Sequence, residues 1–124
     1  MTALDLIKAW LGEIAEAQAY ALQYGHWLTY DASASKQYIA LQVVGSQPPR
    51  EVSTRWAQIG VTLVGAKDSH VSTISPLAEL IMSKTELTPA QCAIVQINAL
   101  TDWLGPYTTE GKRPVLTITL ELIF

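Results

Sequence analysis

The sequence predicts an α+β fold in which two amphipathic helices pack on one face of a four-stranded, mainly antiparallel sheet. Four segments alternate apolar and polar residues with a period of two, which is typical of strands that have one buried and one wetted face. Such strands favour an antiparallel sheet over a parallel sheet covered on both sides. Two other segments repeat apolar residues every three or four positions, as amphipathic helices do. The predicted order is helix, strand, strand, helix, strand, strand, in a single domain over residues 1–124.

The first helix is predicted over residues 3 to 20. Thr2 occupies the N-cap position, and Asp5 follows three residues later as an acidic variant of the capping box. Gly25 is expected to end the helix. One apolar stripe runs along it, formed by Leu4, Ile7, Leu11, Ile14 and Ala15.

Residues 38–44 and 54–65 are predicted to be the first two strands. Both alternate, with Ile39 and Leu41 on one face of the first strand and Ile59 and Val61 on one face of the second. The loop between them contains two prolines, which cannot donate to a ladder. The two strands are therefore expected to pair as a hairpin across a proline loop.

The second half of the chain predicts one helix and two more strands. Ser75 and Pro76 are expected to be the N-cap and first residue of the helix. An alternative start at Asp68 or Ser69 would require a kink at Pro76. Residues 93–100 are predicted to be the third strand, 101–113 a loop, and 115–124 the last strand.

The composition indicates a protein that buries surface in an assembly. Charged residues make up 15% of the chain, well below the usual quarter, while the hydrophobic fraction of 49% is ordinary. A small soluble domain with so few charges is expected to be intracellular and oligomeric. The net charge of −3 shows no basic footprint of a nucleic-acid-binding protein. No apolar run reaches the length of a membrane span, and the first residues lack a secretory signal.

The residues that carry chemistry are few, and they predict neither an enzyme nor a metal or cofactor site. Cys92 is the single cysteine, and the histidines number two. Asp68 and His70 are spaced as an acid–base pair would be, but a polar turn before a helix explains them better. No nucleophile elbow, phosphate loop or zinc motif occurs in the sequence.

Aromatic residues and loop charges are the features that indicate interfaces. The chain has nine Trp and Tyr residues against one Phe, which fits either subunit contacts or the rim of a core, and a platform that stacks sugars or bases is a third possibility. Half of the eight basic residues lie in the proline loop and the 101–113 loop. The predicted contact residues in these loops are Pro48, Pro49, Arg50, Glu51, Arg55, Lys112 and Arg113.

Taken together, the layout resembles the phage tail terminator (minor tail or tail-completion) proteins of long-tailed phages and prophages. A first helix precedes an aromatic connector, and the prolines lie between two strands. The segments that carry the resemblance are YIALQ (38–42), GSQPP (45–49), WAQIGVTLV (56–64), GPY (105–107), GKR (111–113) and VLTITLEL (115–122).

This resemblance implies a structural virion protein rather than an enzyme. It implies that the chain forms a ring, a hexamer, on the last ring of the tail tube, ends tube polymerisation and offers a surface for head joining. The implied partners are the chain itself, the tail tube protein and a head-completion or connector protein, without sequence-specific nucleic-acid binding and without a membrane. The implied location is the neck end of the virion tail, and the host bacterial cytoplasm during assembly.

Three alternatives stay open at the level of sequence. The chain is a neck or connector protein of the same assembly, or a small enzyme or ligand-binding domain that uses Asp68 and His70 or the region of Trp27, or a monomeric adaptor of the bacterial host. The sequence leaves open the ring size and whether the free protein is a monomer. It also leaves open which face meets the tube or the head, and whether the phage is live or a remnant.

Overall fold

The protein has the α+β fold that its sequence predicts, but its sheet has six strands where four were expected. The structure, a computed structural model, describes residues 2–25, 36–46, 55–87, 94, 96–108 and 112–124. Its helices are α1 (Ala3–Gly12) and α2 (Ser75–Thr85), with short 3₁₀ helices at Ala15–Ala19 and Val71–Thr73. Its strands are β1 (Tyr20–Tyr24), β2 (Gln37–Ser46), β3 (Trp56–Val64), β4 (Gln96–Ala99), β5 (Leu104–Thr108) and β6 (Pro114–Ile123).

The sheet follows the order β1-β2-β3-β6-β4, and β5 also pairs with β6. The predicted hairpin is confirmed, since β2 and β3 pair antiparallel with Leu41 opposite Val61. β4 and β5 lie end to end along the same edge of β6, because β4 pairs with residues 120–123 and β5 with residues 114–117. The other edge is β1, which runs parallel to β2. The remaining pairs are antiparallel, so the sheet is mainly antiparallel as expected.

One face of the sheet and both helices share a single hydrophobic core. The alternation predicted for β3 and β6 is confirmed, because every second side chain is buried from Ala57 to Leu63 and from Leu116 to Leu122. α1 contributes Trp10, which is 1% exposed, to this core. The indole N–H of Trp103, between β4 and β5, donates to the carbonyl oxygen of Ala78 in α2 at 2.9 Å. This bond ties the broken edge of the sheet to the second helix.

The first helix begins as predicted and ends earlier than predicted. The Asp5 N–H donates to Thr2 Oγ1, and the Thr2 N–H donates to Asp5 Oδ2, which completes the capping box. The helix stops at Gly12, and residues 20–24 form β1, so the prediction of a helix to residue 20 was wrong. Pairing with β2, which places Leu22 beside Ile39, outweighs the helix propensity of the alanine-rich segment. Gly25, with φ 87°, therefore follows a strand instead of ending a helix.

The second half differs from prediction in three places. α2 starts at Ser75 after Ile74, so Ser75 is not the N-cap, and its hydroxyl donates to Val71 O at 3.0 Å. The alternative helix start at Asp68 or Ser69 was also wrong. The predicted loop at 101–113 contains β5, with an irregular register between Leu104 and Tyr107. The predicted third strand, 93–100, corresponds to β4, which is shorter among the described residues (Gln96–Ala99). Residues 93 and 95 lie outside the described residues.

Candidate functional site

The structure places the predicted contact residues at opposite ends of the sheet. Arg55 lies beside Phe124, since the Arg55 N–H donates to Phe124 O at 2.6 Å and the Phe124 N–H donates back at 2.8 Å. Lys112 immediately precedes Arg113 and β6 at the other end. The nine residues of β3 separate the two ends by about 30 Å. Pro48, Pro49, Arg50 and Glu51 lie outside the described residues, as does the connector with His26, Trp27 and Tyr30.

Arg113 is a structural part of its end of the sheet. The residue is 4% exposed, and its Nη1 donates to Lys36 O at 2.9 Å and to Gly65 O at 3.1 Å. Its guanidinium carbon also lies 5.5 Å from the centre of the buried Tyr38 ring. Because hydrogen bonds from a charged donor contribute more than neutral ones, Arg113 stabilises the junction of three chain segments. In this chain it has little exposed surface to offer to a partner.

The backbone around Arg113 has no room to adjust. Gly65 donates its N–H to Pro114 O at 2.9 Å, and a Cβ at Gly65 would lie 2.7 Å from Pro114 Cγ. Asp68 and Lys112 both have left-handed backbone angles, with φ 61° and 59°. Such angles are uncommon for residues other than glycine. The turn is thus fixed by close packing and hydrogen bonds, and sequence reasoning missed this because no motif marks it.

The exposed side chains at this end are mainly cationic. We call this end the cationic end; it consists of Lys36, Lys67, Asp68, Lys112 and Arg113. The Arg113 side chain joins it through hydrogen bonds to Lys36 O and Gly65 O, and the Asp68 N–H donates to Lys112 O. The three lysines and Asp68 are exposed. Four basic residues and one acidic residue give it a formal charge of +3. The whole chain carries −3, so the rest of the molecule carries −6.

Among the described residues, the other end of the sheet has exposed apolar side chains near Arg55. Val44 is 53% exposed and Trp56 is 39% exposed. Both belong to the face of the sheet that the helices leave uncovered. Across the six described strands, Glu121 is the one charged residue. A sheet this poor in charge lacks the lysines that usually discourage contact between strands of different molecules.

The Trp and Tyr residues divide between the core and the surface. Trp10 and Tyr38 are buried, which fits the core interpretation. Trp56 and Tyr24 are exposed, as is Tyr107 on β5. The phenol of Tyr20 is half-buried beside α1, and burial raises its pKa above the ordinary value. The core interpretation therefore holds for Trp10 and Tyr38, while Trp56, Tyr24 and Tyr107 have the exposure that a subunit contact or a stacking platform requires.

The candidate acid–base pair has a structural role in part. The Ser72 N–H donates to His70 Nδ1 at 3.1 Å, so His70 caps the 3₁₀ helix that follows it. Among the described residues no hydrogen bond joins Asp68 to His70. In the described part of the chain, no group of three or more His, Cys, Asp or Glu side chains is placed to hold a metal ion. Cys92 lies outside that part.

Grooves lined by described residues open on the helical side of the molecule. One, of about 200 Å³, lies between α1 and β1 and is lined by Lys8, Leu11, Tyr20 and Leu22 among others. A second, of about 310 Å³, lies between the 13–16 segment and α2. Small-molecule sites usually measure about 300–1,000 Å³ and enclose most of the ligand. The first groove is smaller than this range and the second is at its lower limit, and both are open, so neither favours the ligand-binding alternative. None of the helices in the described ranges is both long and apolar enough to span a membrane.

The fold of this protein also occurs in solved structures of other proteins. Of the solved structures, 21 chains match it. One of these chains is 11% identical to this protein and superposes with a TM-score of 0.57. The match covers 100% of this chain and 97% of that chain. At this identity the likeness shows a shared fold alone. No curated protein matches the chain by sequence.

The family comparison is more specific than the fold. The family of phage tail termination proteins matches residues 1–124, so the chain belongs to that family. The resemblance inferred from the layout of helices, strands and loops is confirmed. The protein therefore belongs to a family of structural phage tail proteins with a role in tail completion.

Proposed function

We propose that this chain caps the phage tail tube as a ring, ends tube polymerisation and provides the surface to which the head is joined. The observation that carries the proposal is the family match over the full sequence. A tail is completed by stopping tube growth at one end and attaching that end to the head. A protein that performs both tasks needs contacts with its own copies and with two other partners.

The distribution of charge in the fold supports a protein that is covered in an assembly. The uncovered face of the sheet has exposed apolar side chains, including Val44 and Trp56, and the one charged residue of the strands, Glu121. Charge depletion and exposed aromatics are features of subunit interfaces. A ring built from one kind of subunit uses heterologous contacts, in which two different surfaces of the chain meet.

The position of the predicted contact residues supports two separate docking surfaces. Arg55 and Lys112 lie about 30 Å apart at opposite ends of the sheet, too far apart to share one contact. We assign the Arg55 end, with the proline loop that contains Pro48, Pro49, Arg50 and Glu51, to contact with the tube.

The test uses tail tubes of the cognate phage polymerised from purified tube protein. We expect the gold-labelled chain to bind one end of each tube in electron micrographs, and tubes grown in its presence to be shorter. Arg55→Glu should weaken end binding, while Lys8→Glu, an equal charge change on α1, should not. Labelling along the tube walls or no binding would overturn the proposal. Binding to purified connector but not to tubes would identify a neck protein instead.

A further inference from the structure

The charges of this protein are separated between two surfaces. The cationic end has a formal charge of +3. A second surface, which we call the helix layer, consists of α1, the 3₁₀ helix at Ala15–Ala19, and the segment from α2 to Leu87. It has five exposed carboxylates against two lysines, a formal charge of −3; these residues are Asp5, Glu13, Glu16, Glu79 and Glu86, with Lys8 and Lys84.

The helix layer keeps most of its negative charge available. Lys84 forms an ion pair with Glu13 and lies 5.4 Å from the centre of the Trp10 ring, so one lysine and one carboxylate neutralise each other within the layer. Glu13, Glu16 and Lys84 border the groove between the 13–16 segment and α2, which Leu80 and Leu87 line with exposed apolar surface. An acidic border around apolar side chains is suited to a partner surface with exposed lysines.

Hydrogen bonds hold the backbone of the cationic end in the single chain. Arg113 joins Lys36 to Gly65, and the Asp68 N–H bond to Lys112 O fixes the turn that presents Lys67. A preorganised surface loses less conformational entropy when it docks. Left-handed backbone angles at Asp68 and Lys112 are the kind of local strain that concentrates at functional sites.

We propose that the cationic end of one copy docks on the helix layer of the next copy. This inference rests on the proposed ring and names the two surfaces that meet in it. The exposed groups of the cationic end sum to +2 without the buried Arg113 and those of the helix layer to −3, so the two surfaces are complementary in charge. Because the surfaces differ, the contact is heterologous, as a ring requires. Each copy offers one surface of each kind, so the contact repeats from subunit to subunit.

Duplex DNA is the other acidic partner that three exposed lysines can attract. The net charge of −3 opposes nucleic-acid binding, and three lysines release few counterions. The acidic helix layer of the same chain is therefore the partner that the charges favour, and DNA binding becomes an outcome of the test.

The test measures self-association of the full chain by sedimentation velocity and light scattering, over a range of protein and salt concentrations. Lys36→Glu and Lys67→Glu each reverse one charge at the cationic end, and both residues are exposed, so unfolding temperatures should stay unchanged. Each variant should raise the concentration needed for association by roughly three- to tenfold. Raising the salt concentration from about 50 to about 500 mM should weaken wild-type association in the same direction.

Lys8→Glu makes the same charge change within the helix layer, so it tests the other surface of the contact. It should strengthen association, since the layer becomes more acidic. Equal weakening by Lys8→Glu, or wild-type association by both lysine variants, would overturn the inference and leave the capping ring intact. Loss of duplex DNA binding without loss of association would assign the lysines to nucleic acid. A wild-type chain that is monomeric at every concentration would overturn the contact, whereas failure to bind tube ends would overturn the proposed function.

Discussion

The backbone N–H of Asp68 donates to the carbonyl oxygen of Lys112 at 2.8 Å, and both residues have left-handed backbone angles. For residues with a Cβ this conformation costs roughly 1–2 kcal/mol each, and aspartate tolerates it better than lysine. The bond joins the turn after β3 to the residues before β6. Two strained residues that face each other across one hydrogen bond imply that the surrounding contacts determine the geometry.

Lys112→Gly should stabilise the protein, because glycine adopts φ 59° without steric cost. The gain should be about 0.5–1 kcal/mol after the greater chain entropy of glycine in the unfolded state is subtracted. Urea denaturation of the wild type and the variant measures it. Lys67→Gly, at a neighbouring exposed lysine without a left-handed angle, should lower stability slightly. A loss of stability in Lys112→Gly would show that the lysine side chain supports the fold.

Gly65→Ala should destabilise the protein by about 1–3 kcal/mol, because the new methyl group would overlap Pro114 Cγ at 2.7 Å. The same methyl group would lie 3.0 Å from the Ser69 hydroxyl oxygen, so neither side offers space. The matched control is Gly12→Ala at the end of α1, where no atom beyond the adjacent residues and the backbone of the helix itself lies within 4 Å of the added Cβ. That variant should be neutral or more stable by up to about 1 kcal/mol. Equal stabilities for both variants in thermal unfolding would contradict the packing at Gly65.

The elements that were predicted correctly are those determined by residues close together in the sequence. The capping box of Thr2 and Asp5 and the alternation of β3 and β6 depend on residues a few positions apart, and these predictions are confirmed. β1 was missed because its parallel pairing with β2 is a tertiary contact, and the alanines around it favour a helix. β5 was missed because Gly105 and Pro106 usually mark a loop.

The candidate surfaces were predictable in part for a similar reason. Lys112 and Arg55 were identified from the concentration of basic residues in two loops. Their separation to opposite ends of the sheet depends on strand order, which the local pattern does not contain. Lys36 and Lys67 lie at the cationic end because of the Arg113 bond to Lys36 O and the turn at Asp68. Both are contacts between residues far apart in the sequence, so the local pattern did not predict them.

The capping box should make stability depend on pH in the acid range. Hydrogen bonds from the Thr2 backbone N–H and hydroxyl hold the pKa of Asp5 below its ordinary value. The stabilisation is therefore complete above the ordinary pKa of an aspartate, near pH 4, and is lost as pH falls through the lower folded-state pKa. Asp5→Asn should reduce the difference in unfolding temperature between pH 6 and pH 2.5. Glu79→Gln on α2, an exposed carboxylate, is the control, and an equal reduction there would contradict the assignment.

Arg113→Leu should destabilise the protein by about 2–4 kcal/mol, because the buried carbonyl of Gly65 and the partly buried carbonyl of Lys36 lose a charged donor. Arg113→Lys should recover part of this loss, since an ammonium keeps the charge but lacks the planar set of donors. Arg55→Leu is the control at the exposed end and should change stability by less than about 0.5 kcal/mol. Chemical denaturation of the four proteins at one pH measures these differences. If Arg113→Leu instead kept wild-type stability and lost association or tube binding, Arg113 would act at the docking surface, as its place in the 101–113 loop first indicated. The lysines at the cationic end would then be secondary to it.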